Sequence, residues 1–159
     1  MKLDWIDNQI SQLAVRFFYK FSRFEYSMKQ VEWCKEIGRH SDIAPDWEGM
    51  FFNSLKTNYV APETARSLRA EDPKRFRRRA DGFEWVSCNN EQHALLKTIF
   101  DLKTVRNNLF HGGKHENSGW DNPKRTKKLL SLSIEVIDDL AVQTGTICGD
   151  FSIHYSSDY

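Results

Sequence analysis

The stretch from Ile10 to Val31, ISQLAVRFFYKFSRFEYSMKQV, places Ile10, Leu13, Phe17, Phe21, Phe24, Met28 and Val31 at successive steps of three or four residues. That spacing draws one apolar stripe along an α-helix. It predicts a long first helix from near residue 7 to near Ile37, closed by Gly38 in the left-handed conformation that glycine adopts freely. Phe17, Phe18, Tyr19, Phe21 and Phe24 cover more than one face of this helix. Part of that surface is expected to pack a second layer or a second subunit, the rest the core.

Working outward, Asp46 precedes Trp47, Phe51, Leu55 and Tyr59 in a second helical pattern that stops before Pro62. Pro62-Glu63-Thr64 opens a short third helix. Asn90 and Glu91 lead into Leu95, Leu96, Ile99, Phe100, Leu102, Val105 and Leu109, again at helical spacing, ending at Gly112-Gly113. Asn122-Pro123 starts the last helix, a side-chain cap followed by the residue favoured at the first helical position. Its stripe is Leu129 or Leu130, Ile134, Ile137 and Ala141, ending near Gly145. Asp81-Gly82 reads as a turn, after which Phe83 to Cys88 is either extended or packs Trp85 as a plug over the core. The fold expected is all-α, a bundle of four to five helices over residues 1–145, with a packed or frayed tail over 146–159.

The chain has 159 residues, the size of one domain, and its 13% aromatic content is too high for a disordered polypeptide. Its 23 Lys and Arg nearly cancel its 22 Asp and Glu, so any basic surface must be local. Such a surface lies between Arg66 and Arg79, where Arg66, Arg69, Lys74, Arg75, Arg77, Arg78 and Arg79 face only Glu71 and Asp72. Arg75, Arg77, Arg78 and Arg79, with Phe76 as a stacking ring, are candidates for contact with an RNA backbone; the alternative is a solvated charged face. No apolar run has the length of a membrane span, and the start lacks the apolar segment of a signal peptide, so a cytoplasmic protein is expected. Cys34, Cys88 and Cys148 form no CxxC pair and are expected to be free thiols, and no metal site or cofactor is expected.

Val105-Arg106-Asn107-Asn108-Leu109-Phe110-His111-Gly112-Gly113-Lys114 gathers Arg, two Asn, His and Lys around a double-glycine helix stop. Five helical residues place Arg106 and His111 about 140° apart, flanking the stripe of Leu102, Val105 and Leu109. They converge if the helix unwinds at Gly112, or if a second copy brings its own pair across a two-fold axis.

Arg106-Asn107, three further residues, then His111-Gly112 resembles the Arg-x4-6-His motif of the HEPN domains, in the branch where Asn follows Arg and Gly follows His. Arg23 to Lys29, with Glu25, is similar to the first helix of several prokaryotic members, which bears an acidic residue. The resemblance implies a HEPN-like helical homodimer with a composite site. It implies a metal-independent endoribonuclease of a toxin–antitoxin or anti-phage defence system, with an antitoxin or defence protein as partner. His111 would act as general base or acid in attack of an RNA 2′-OH on the adjacent phosphate. Arg106 would stabilise charge on the phosphoryl oxygens, and Asn107 would orient one of them. The product would end in a 2′,3′-cyclic phosphate, and DNA would be spared. Lys114, just beyond, would be a supporting phosphate contact, and Glu25 is expected either to pair with Lys29 or to reach the Arg106 cluster. The Tyr that many nucleotidyltransferase-controlled members carry two residues after the His is Gly113 here, which argues against that form of control. Two other readings stand beside this one: a noncatalytic helical module binding RNA, nucleotide or protein, and a regulatory subunit that neutralises a partner toxin.

Overall fold

The computed structural model describes residues 8–38, 40–87, 93–111 and 122–156. Helix α1, Asn8–Gln30, buries Ile10, Phe17, Phe21, Phe24, Ser27 and Met28, and Leu13 and Val31 lie half-buried beside them. The predicted stripe therefore faces the core, while Phe18 and Tyr19 are exposed. The helix stops at Gln30 and not near Ile37. Glu32 takes φ +60°, its N–H donates to the Lys29 carbonyl (3.1 Å), and the Trp33 N–H donates to the Met28 carbonyl (2.8 Å). These two reversed bonds close a helix end around a left-handed residue.

Glu32 thus occupies the position the sequence reading gave to Gly38. A non-glycine residue there costs roughly 1–2 kcal/mol, more than the roughly 0.4–1 kcal/mol of unfolded-state entropy that glycine adds. Glu32→Gly is expected to raise the unfolding midpoint by about 2 °C, read by thermal denaturation. A lowered midpoint contradicts this account of the helix end.

Beyond Trp33 the chain forms an antiparallel hairpin, β1 (Cys34–Ile37) with β2 (Asp42–Pro45), Cys34 opposite Pro45. Gly38, at φ +69°, lies in its turn. Asp46 then caps the next element, its Oδ2 accepting from the Met50 N–H (3.0 Å). Its Oδ1 accepts from Lys35 Nζ (3.0 Å). The Lys35 bond first, and the backbone N–H groups after it, hold the Asp46 carboxyl below the ordinary carboxylate range against the opposing effect of burial. Trp47–Phe51 is wound as a π-helical turn leading into α2, Phe52–Leu55. A Cβ at Gly49 would lie 2.1 Å from the capping Oδ2, so a larger residue there displaces the cap.

Helix α3, Glu63–Ala70, follows and buries Ala65 and Leu68. A second hairpin joins β3 (Lys74–Arg79) to β4 (Gly82–Ser87), turning at Ala80-Asp81. Helix α4 runs over Ala94–His111 and α5 over Pro123–Ile147. The Asn122 side chain caps α5 by accepting from the Arg125 N–H (3.0 Å), with Pro123 at the first turn as expected. Helix α5 packs along α1 and buries Leu130, Ile134, Ile137 and Ala141, and so carries the predicted stripe.

Two further expectations are corrected. The chain is mainly helical but not all-α, since the basic stretch and the segment after α1 each contribute strands. The expected tail is helix α6, Gly149–Ser156, whose Phe151 is fully buried with its ring 4.8 Å from Phe24. Helix α5 runs past Gly145 to Ile147, the extended Cys148 separates it from α6, and Gly145 is where the two helices pack: a Cβ there would lie 1.9 Å from Ser152 Oγ. Among the described residues no helix is long and apolar enough to cross a membrane. Cys34 and Cys148 are half-buried free thiols, and Cys88 lies outside the described residues.

Candidate nucleic-acid interface

Leu102 and Val105 are buried and Leu109 half-buried, so the last turns of α4 press their apolar stripe inward. Arg106 flanks that stripe. Its guanidinium carbon lies 5.8 Å from the centre of the Phe21 ring on α1, and Nη1 donates to Asn107 Oδ1 (3.1 Å). A cation over an aromatic face is held there by the ring quadrupole. Asn107 is exposed and fixes one edge of the guanidinium. His111 is the final residue of α4; its side chain, with Lys114, lies outside the described residues.

Glu25 spends Oε1 on the indole N–H of Trp47 (3.1 Å). Trp47 in turn stacks on Phe21 at 5.5 Å, the ring that carries Arg106. Glu25 and Arg106 are thus attached to the same pair of aromatic rings. The structure gives Glu25 a buried aromatic partner that neither sequence expectation contained.

The second hairpin is fastened to this same helix. Arg75 Nε donates to Thr104 Oγ1 (3.2 Å), and its guanidinium lies 5.1 Å from the centre of the Phe100 ring. Asn108 Nδ2 donates to the Lys74 carbonyl (2.8 Å). At the hairpin base, Ser87 donates to Asp72 (2.6 Å) and Arg125 donates to the Asp72 carbonyl (3.3 Å). Arg75, expected on an RNA backbone, is therefore an anchor to α4. Arg77 and Arg78 are exposed, and Arg79 is exposed and paired with Glu84. The cationic surface on the hairpin comprises Arg77, Arg78, Arg79 and Lys74.

Trp85 is not a plug over the core. It is 41% exposed, alongside Phe76 and Phe83. The anchoring role of Asn108 is not legible in the sequence, where it is simply one of two Asn before the glycines, and Phe83 went unread as well. The signal for Phe83 was present, because Phe83 and Trp85 alternate with polar residues directly after the Asp81-Gly82 turn signal, as in the second strand of a hairpin.

Among the described residues no three His, Cys, Asp or Glu side chains come together as a metal-ligand set. No protein-family description, curated protein or solved structure matches the chain.

Proposed function

We propose that the chain is a metal-independent endoribonuclease acting at the C-terminal end of α4. The observation that carries this reading is that Arg75 and Asn108 fasten the cationic hairpin to the helix that bears Arg106 and His111. An RNA strand meeting the exposed cations of the hairpin is tied through Arg75 and Asn108 to the helix that bears the motif, so binding and chemistry share one frame. The similarity of Arg106-Asn107 and His111-Gly112 to the HEPN motif supports the same reading.

In the proposed reaction the 2′-oxygen attacks the adjacent phosphorus and the bond to the 5′-oxygen breaks, leaving a 2′,3′-cyclic phosphate. One imidazole takes the 2′-OH proton while a second protonates the leaving oxygen. Two imidazoles in one site call for two copies of the chain, which is the role of the homodimer in this proposal. Arg106, oriented by Phe21 and Asn107, meets the charge on the phosphoryl oxygens, with Lys114 in support. A cytoplasmic toxin or anti-phage defence role, restrained or triggered by a partner protein, fits such an activity.

The second reading, a noncatalytic RNA-binding module, is favoured by one feature: Arg106 is already engaged by Phe21 and Asn107 without any ligand. The test is incubation of an RNA oligonucleotide and its DNA counterpart with the purified protein in EDTA. Cleavage of RNA with DNA intact is expected. Cutting of DNA, or cutting only after a divalent metal is added, contradicts the proposal.

A further inference from the structure

Side chains on a two-stranded sheet alternate between its faces. Register puts Arg75, Arg77, Arg79, Glu84 and Val86 on one face of the second hairpin, and Lys74, Phe76, Arg78, Phe83 and Trp85 on the other. Arg75 shows which face meets the protein, because its guanidinium docks on α4. The hairpin is therefore inverted relative to the usual pattern in which apolar residues face the core and polar residues face water. Its aromatic face looks outward. Phe76 is 45% exposed, Phe83 66% and Trp85 41%.

The three rings form a continuous strip. Phe76 stacks on Phe83 at 5.2 Å with the planes 14° apart, and sits 5.0 Å from Trp85. Such pairs support the hairpin itself. That support does not account for the cations beside them: Arg78 stands opposite Phe83 on this face, with Lys74 at the other end. Aromatic rings interleaved with cations match a polyanion whose units carry their own flat π-faces.

We infer that this face binds unpaired nucleotides of a single strand, with Phe76, Phe83 and Trp85 stacking on bases and Lys74 and Arg78 meeting phosphates. A duplex keeps its bases stacked inside and offers the strip only its backbone. The inference rests on the reading of nucleic acid as ligand and names its form; it does not require cleavage, because stacking is indifferent to the 2′-OH.

The test is fluorescence anisotropy in EDTA with a labelled 12-nucleotide single-stranded DNA, its RNA equivalent and the corresponding duplex. Expected are similar affinities for the two single strands and weaker binding of the duplex. Phe76→Ala and Trp85→Ala should each weaken single-strand binding about tenfold, while Trp85→Phe stays near wild type. Arg78→Ala should lower the salt slope by about 1. Circular dichroism of each variant checks that the helices remain. Absence of single-strand binding, equal binding of duplex, or unchanged affinity in both alanine variants overturns the inference. Cleavage of RNA with affinity unchanged in those variants removes the platform and leaves the ribonuclease; ring-dependent binding of DNA with no cleavage of RNA does the reverse.

Discussion

Replacing Lys97 with Met is expected to cost about 3–5 kcal/mol of stability at neutral pH, as for other buried ion pairs that lose one partner. The fall in unfolding midpoint should be roughly 10 °C. Lys97 and Asp101 lie one turn apart on α4, each with its side chain only 1% exposed, and the Lys97 ammonium meets Asp101 Oδ1. Without the ammonium a buried carboxylate is left on a helix whose Ile99 and Leu102 are also fully buried. Burial already pushes the Asp101 carboxyl above its ordinary range, with the Lys97 hydrogen bond opposing it. A carboxyl raised in the folded state gives stability that is present below its unfolded value and lost as pH rises through the folded one. Removing Lys97 removes the opposing effect, so the deficit of Lys97→Met should narrow on acidification from pH 7 to about pH 5. The double variant Lys97→Met, Asp101→Leu should recover most of the loss, because two apolar groups of similar volume replace the pair without an orphaned charge. Urea denaturation at both pH values checks this. A single-variant cost under about 1 kcal/mol, or a double variant no better than the single one, contradicts it.

His111→Ala should lower the RNA cleavage rate about 10²–10⁴-fold, the range for loss of a general acid or base. Arg106→Ala should lower it about 10²–10³-fold, the range for loss of one group that stabilises charge in the transition state. Arg106→Lys is expected to fall between, since an ammonium keeps the charge but not the planar fork that donates to Asn107. Binding of single-stranded DNA should be little changed in His111→Ala, so the loss would lie in the rate and not in affinity. The double variant should be scarcely slower than the worse single one, as for groups serving one step. A His111→Ala protein that keeps more than about a tenth of the wild-type rate contradicts the assignment.

Helices α1, α4 and α5 were legible because each buries one stripe, and a stripe repeats every three or four residues regardless of its partners. The stop of α1 was not, because the left-handed position falls on Glu32, a residue type that does not advertise it, while Gly38 a few residues on does. The first hairpin, CKEI against DIAP, has no apolar alternation to read. In the second, the run Arg77-Arg78-Arg79 hides the alternation of β3, so the strand read as a charge cluster. Of the two readings open to Phe83 to Cys88, extended or with Trp85 as a plug, burial of the ring was attractive because large rings usually lie inside. It faces out because Arg75 and Asn108 take up the contacts with α4. These anchors join residues 29 and 34 positions apart, and no local pattern encodes such a pairing. Phe151 seats α6 against Phe24 through one fully buried ring, too little periodicity to distinguish a helix from a tail. At the site, Arg106 and Asn107 were legible as a motif. Their support by Phe21, and the attachment of Glu25 to Trp47, depend on the packing of separate elements.

The central claim is tested most directly by digesting total cellular RNA in EDTA with the purified wild-type protein and with His111→Ala, and analysing the product ends. Cutting by the wild type alone, with 2′,3′-cyclic phosphate and 5′-hydroxyl ends, is the predicted result. Cutting by both proteins alike, 5′-phosphate ends, or intact RNA in both reactions would contradict it.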